Sequence, residues 1–422
     1  MPTVHEAFVI KYKAVNKFQG GDIMSKGYPN ILIHGFFGWG DQDFLNKLSP
    51  YFGGVLKKGM DAFLTENGYE SYTPSVGPWS SAWDRSCELY AQIMGGTVDY
   101  GKAHSEKYGH ARYGKTYKGY INDWGKPGDH EKINIIGHSF GGPTVIMFAD
   151  LLDRGSAEER AATPANELSP LFAGGHANLL HTVTTLSGTN NGTTLADAGH
   201  DLHVTPLVNW LLLGVISTVF GETSVMKAWD FKCAHWGITA LDAASVKHQL
   251  RGVKAEADGV RRYNANEFDN LMEEMRVPVA AEINKNLGIS DKIYYFARRA
   301  NRTHSIGNTP FQAMDLKSFP IAHISQLIMG WYTTPKLRKE YSMTNEWYKS
   351  DGPVNTVCTA GPWDKPSEEW TENTVCVPGK WYNMPVEYKD HFSWMGFLEN
   401  RKVYEDYFLD MVDSFTKLPV IK

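Results

Sequence analysis

Apolar positions along the chain fall into short unbroken runs separated by stretches of helical spacing, and this alternation sets the first expectations. Residues 30–34 (NILIH) run straight into the turn GFFGWG and read as a buried strand. Residues 56–67 suit a helix closed by Gly68, 69–73 (YESYT) a second strand, and 80–93 another helix. Residues 95–129, rich in Gly, Tyr and His, follow neither period and predict an irregular insertion with its own stabilising device. Lys132–Ile136 (KINII) predicts a strand, followed by GHSFGG and an apolar helix from Pro143 to Leu152. Further strands are expected at Thr182–Leu186, Ile293–Phe296 and Val354–Val357. Strands alternating with helices predict an α/β chain with a mostly parallel central sheet and flanking helices.

Composition narrows the partners. Forty-two Lys+Arg against 47 Asp+Glu leave a net charge of −5, and no basic run appears, which removes the electrostatic case for nucleic acid. The 14-residue apolar stretch Leu207–Phe220 falls short of the ~20 residues a membrane span needs. Lys11, Lys13 and Lys17 interrupt the apolar core that a signal peptide would require, although a mature form would look the same. Four scattered cysteines (Cys87, Cys233, Cys358, Cys376) are too few for a disulfide scaffold; a Cys358–Cys376 bridge is conceivable, and buried free thiols are expected.

The strongest local signal is Gly137-His138-Ser139-Phe140-Gly141, a G-x-S-x-G between a strand and an apolar helix. A sharp strand–turn–helix lifts the serine hydroxyl out at the carboxyl end of the sheet, and small flanking residues avoid clashes. Such a serine needs a base and the base an orienting carboxylate, in the chain order Ser, acid, His. His391 is the last of the downstream histidines, in the loop-like KDHFSW, and Asp351 lies in the turn KSDGPVNT; a surface histidine and an ordinary turn aspartate are the alternatives. The expected oxyanion hole combines the Phe140 N–H with that of Phe36, after the first strand.

ILIHGFFGWG, the long block VGPWSSAWDRSCELYAQIMGGTVDYGKAHSEKYGHARYGKTY, IIGHSFGG, DFK..HWG and SDGPVNT together resemble the bacterial true lipases of the bacillus–staphylococcus type, over about residues 28 to 400. The resemblance implies an α/β-hydrolase fold, carboxylic-ester hydrolysis and a triad on Ser139, Asp351 and His391. It further implies a tetrahedral zinc site on Asp84, His104, His110 and Asp269, a set that leaves no open position for water and so makes the metal structural, tethering the 95–129 insertion. Spacing alone would have left these as solvated histidines. Phe140 and Gly137 depart from the family's usual Gln and Ala. Ser393 and Leu398 stand where calcium-binding members are acidic, so no calcium site is expected.

Residues 193–265 match the family's lid or cap region, within a single hydrolase domain spanning 1–422. Val204–Phe220 is apolar on nearly every face, and Trp210, Leu211, Val215 and Phe220 are the expected lid and substrate contacts; a buried core helix is the alternative. The expected activity is triacylglycerol lipase chemistry on a water-insoluble ester at an interface. The alternative is a carboxylesterase of shorter or polymeric, aliphatic–aromatic esters. Resemblance to secreted enzymes implies an extracellular location.

Overall fold

The computed structural model describes residues 25–206, 230–238, 258–331 and 335–421. Trp210, Leu211, Val215 and Phe220, and with them most of the expected lid, lie outside the described residues.

Seven strands form one sheet in the order β10–β11–β7–β6–β5–β1–β2, every neighbouring pair parallel. They are β1 (Asn30–Ile33), β2 (Ser71–Tyr72), β5 (Ile133–His138), β6 (Leu180–Leu186), β7 (Tyr294–Arg298), β10 (Ser367–Glu369) and β11 (Trp381–Asn383). The central strands are buried on both faces, as parallel strands covered by crossover helices must be. Their side chains divide between two cores by the period of two. Ile31, Ile33, Ile135 and Tyr295 face the helices Ala82–Met94 and Gly141–Arg154, whereas Leu32, Ile136, Tyr294 and Phe296 face Phe52 and the C-terminal helix Arg401–Thr416.

The expected strands at 30–34, 69–73, 132–136, 182–186 and 293–296 are all present within a residue or two. Two expectations need correction. Val354–Val357 is not a strand: only Ser350 and Asn355 form a bridge, and Thr356–Thr359 is a 3-10 turn. Turn bonds satisfy the backbone there: the Val354 N–H donates to Asp351 Oδ1, the Val354 carbonyl accepts from the Asp351 N–H, and the Thr356 N–H donates to the Lys349 carbonyl. The 95–129 insertion is also more regular than its composition implied. It contains the antiparallel pair β3 (Gly96–Asp99) and β4 (Tyr113–Tyr117), with a register shift between Thr97 and Asp99, around the helix Lys102–Tyr108. A second hairpin, β8 (Thr303–Ser305) with β9 (Gln312–Met314), precedes the helix Pro320–Met329.

One buried cation ties these layers at the end of the sheet where the site forms. Arg85, wholly buried on Ala82–Met94, donates Nε–H to Thr144 Oγ1 at 2.8 Å, one amino group to the Gly77 carbonyl at 2.9 Å and the other to the His34 carbonyl. Its guanidinium also lies over the Phe140 ring. Replacing it with Met keeps the stem's volume but leaves these acceptors without donors; Arg85→Met should lower unfolding free energy by about 3 kcal/mol, read as a fall in the urea midpoint.

Candidate active site and metal centre

Ser139 follows β5 directly, and its backbone sits at φ 57°, in the left-handed region that side chains other than glycine rarely adopt. Three hydrogen bonds hold it there: its N–H donates to the Leu186 carbonyl, and its carbonyl accepts from the Gly142 and Thr189 N–H groups. The turn after β1 closes on the same point. A Cβ built on Gly35 would stand 2.5 Å from Ser139 Cβ, so only glycine lets the 34–36 turn come this close. The helix Gly141–Arg154 starts just beyond, its first N–H groups aimed at the same region. Phe36, on that turn, packs edge-on against Trp79, and Phe140 is wholly buried.

Asp351 and His391 come together on loops beyond the strands. His391 Nδ1 lies 2.8 Å from Asp351 Oδ2, both side chains are buried, and the His391 N–H donates to the Asp351 carbonyl. An ionised carboxylate only accepts, so Nδ1 carries the proton and Nε2 is left as the basic nitrogen. The His391 turn is fixed from below by Asp390, whose Oδ1 accepts from the Phe392 and Ser393 N–H groups and whose Oδ2 accepts from Phe319 N–H, at the start of the Pro320–Met329 helix.

A second network, invisible in the spacing of the sequence, joins these pieces. The Gly35 N–H donates to Tyr51 Oη at 3.0 Å, Tyr51 donates to His138 Nδ1 at 2.7 Å, and His138 Nε2 donates to the His391 carbonyl at 3.1 Å. The two ends are fixed because a carbonyl only accepts and an amide N–H only donates; the middle bond follows because a neutral His138 with its proton on Nε2 can only accept at Nδ1. Burial pushes the His138 imidazole well below its ordinary range, as does nearby His391, so it stays neutral with one proton for one bond. The 34–36 turn, the Ser139 turn and the His391 loop are thus held to one another.

Asp84, His104, His110 and Asp269 meet at a separate point, their ligand atoms within 4.8 Å of one another. His104 Nε2 lies 3.3 Å from Asp269 Oδ1 and 3.5 Å from Asp84 Oδ1; His110 Nε2 lies 3.3 Å from Asp269 Oδ2. These inward-facing atoms are buried and make no hydrogen bond, a cost that a cation among them would remove. Two imidazoles and two carboxylates form a donor set suited to a divalent metal ion. Burial works against a charged His104, yet the carboxylates of Asp269 and Asp84 push its imidazole up to about 9 in the metal-free protein. Glu274, which the sequence did not single out, caps the Asp84 helix by accepting from the Ala82 N–H; burial pushes its carboxyl up to about 8. All four cysteines are free. Among the described residues no helix is long and apolar enough to cross a membrane.

A parallel sheet carrying a serine on a strained strand–helix turn, followed in the chain by a buried Asp–His pair, defines an α/β-hydrolase. Residues 26–417 match the family model described as the lipase-like, C-terminal domain, and the chain belongs to that family. Lipase 1 of Staphylococcus aureus is 34% identical over 340 residues, which cover 80% of this chain and 46% of that protein, so the chain spans about half the length of such relatives. The crystal structure of Staphylococcus hyicus lipase superposes with a TM-score of 0.80 at 28% identity, covering 95% of this chain and 98% of that one. Lipase 1 of Pelosinus fermentans gives 0.73 at 32% identity, with 93% and 100% covered.

Tyr51→Phe should leave both the Gly35 N–H and His138 Nδ1 unpaired. The expected loss is about 1–3 kcal/mol of stability, measured by urea unfolding.

Proposed function

We propose that this chain is a serine ester hydrolase of the triacylglycerol-lipase type, acting on water-insoluble carboxylic esters through an acyl-enzyme on Ser139. The observation that carries the reading is the strained Ser139 turn packed against Gly35, with the buried His391–Asp351 pair tied to the same turn through His138.

Ser139 Oγ attacks the ester carbonyl while His391 Nε2 takes its proton, and Asp351 stabilises the imidazolium that forms. The Phe36 and Phe140 N–H groups receive the oxyanion as the carbonyl becomes tetrahedral. Collapse breaks the ester C–O bond; His391 returns the proton to the departing alcohol and leaves the acyl group on Ser139. Water, deprotonated by His391, then attacks the acyl carbonyl and releases the carboxylic acid, restoring the serine.

An apolar substrate is supported by the helix Pro320–Met329. Its face bearing Ile321, Ile324 and Leu327 is exposed, while Ala322 on the other side approaches Gly352, next to Asp351. Phe319 at its start packs on Phe392, beside His391. Exposed apolar surface of this extent beside a candidate site suits a lipid-like ligand. The apolar sequence Val204–Phe220, within the 193–265 cap region, has the composition of a lid segment, and an extracellular location fits such substrates. A carboxylesterase of shorter or polymeric esters is the second reading, favoured by the same open face.

Asp84, His104, His110 and Asp269 would hold Zn²⁺ as a closed, structural set; when bound, the ion neutralises the facing carboxylates and cross-links the insertion to the body. Elemental analysis should find about one zinc per chain. Its removal by chelation should lower Tm by several degrees, since a ligand at a thousand times its Kd stabilises the fold by about 4 kcal/mol. A metal-free protein of unchanged Tm overturns the assignment.

The activity itself is tested by rates on p-nitrophenyl esters from acetate to palmitate and on a triolein emulsion. The lipase reading expects a long-chain optimum with triolein turnover, all lost in Ser139→Ala. A short-chain optimum without triolein turnover establishes the esterase instead, and full activity in Ser139→Ala refutes both.

A further inference from the structure

Asp84 presents its two oxygens to different partners. Oδ1 faces the His104 and His110 imidazoles at 3.5 and 4.0 Å and makes no hydrogen bond. Oδ2 turns the other way and is held by His235 Nε2 at 2.9 Å. Because the carboxylate only accepts, His235 must carry its proton on Nε2, and it cannot offer that nitrogen to a metal while the bond stands. The ring itself has little freedom. It is almost wholly buried, stacks on Tyr100 at 4.4 Å and meets His110 edge-on at 5.1 Å.

His235 belongs to the stretch 230–238, whose other bonds also reach the body of the protein. The His235 carbonyl accepts from the Ala111 N–H, next to His110, and the Trp236 ring packs against His110 at 4.9 Å. At its other end Lys232 Nζ donates to Ser75 Oγ at 2.7 Å, and the Asp230 N–H donates to Asp43. One imidazole therefore joins a nine-residue stretch of the cap region to a candidate metal ligand.

We infer that His235 is a positioning residue for the metal centre: by fixing Asp84 Oδ2 it presents Oδ1 as a single-oxygen ligand, and it couples metal occupancy to the seating of residues 230–238. The inference rests on the four-ligand metal reading above. Outer partners that orient a ligand typically contribute 10–100-fold to metal affinity. Coupling is reciprocal, so whatever His235 adds to metal affinity the metal must return to the docked stretch. The Lys232 and Asp230 bonds anchor one end independently, which confines the effect to the part around His235 and Trp236.

The test compares zinc affinity, by competition with a chromogenic chelator, in the wild type, His235→Ala and His235→Gln. Glutamine keeps an N–H donor at similar reach. The expected result is zinc affinity about 10–100-fold weaker in His235→Ala and restored to within a few-fold in His235→Gln, with both variants folded by circular dichroism. Hydrogen exchange on the wild type needs no variant: chelation should speed exchange of the peptides covering 110–112 and 233–238 more than that of β5. Unchanged affinity in folded His235→Ala, or exchange at 233–238 indifferent to zinc, overturns the positioning role while leaving the metal site intact. A wild-type protein that binds no zinc overturns the four-ligand reading and this inference with it.

Discussion

Ser139 occupies a backbone conformation that costs an ordinary side chain of order 1–3 kcal/mol, and the surrounding structure exists in a form that makes this tolerable. Three backbone bonds fix the turn from β6 and from the helix it opens. Gly35 brings the neighbouring β1 turn into contact, and Arg85 fastens that turn, through the His34 carbonyl, to the helix Ala82–Met94. A strained residue persists only when its neighbours over-determine it, and here they do so from three elements at once. The same elements carry the candidate oxyanion donors, so the strain and the chemistry share one framework.

The Tyr51–His138 relay extends that framework to the histidine loop. His138 is held neutral by burial, which lets it donate to the His391 backbone while accepting from Tyr51. A charged imidazole would donate from both nitrogens, and Tyr51 would then have to turn its own proton elsewhere. Asp390 performs a parallel service from the other side, knotting the His391 turn to the exposed apolar helix. The candidate base is thus aligned by main-chain contacts as well as by Asp351.

Much of this was legible in the sequence, for identifiable reasons. The apolar runs at 30–34 and 132–136 became central strands because nothing but a doubly covered sheet hides such residues. G-x-S-x-G follows from a turn geometry that tolerates few sequences, the candidates Asp351 and His391 came from the chain order usual for this fold, and the structure brings those two into contact. Asp84, His104, His110 and Asp269 also converge, yet only family resemblance pointed to them; their spacing reflects a fold rather than a local motif. Val354–Val357 misled because β-branched residues next to an Asp-Gly-Pro turn look like a strand, whereas Asp351 and the neighbouring turns take up the backbone's hydrogen bonds. Tyr51 and Glu274 left no signal, and His235, although part of the DFK..HWG segment, gave no hint of its role, since each acts through partners far away in the chain.

Asp84 and Asp269 lie far apart in sequence, and no disulfide closes any loop between them: Cys87, Cys233 and Cys358 are buried with thiols pushed well up by that burial, which keeps them in the unreactive protonated form. With an ion in place, the metal centre is therefore the only cross-link of its kind among the described residues. Closing so long a loop restricts the unfolded chain much as a disulfide would. Such a link answers to ion supply and acidity instead of redox potential. With the ion bound, the ion concentration of the surrounding medium becomes one of the terms that set the protein's durability.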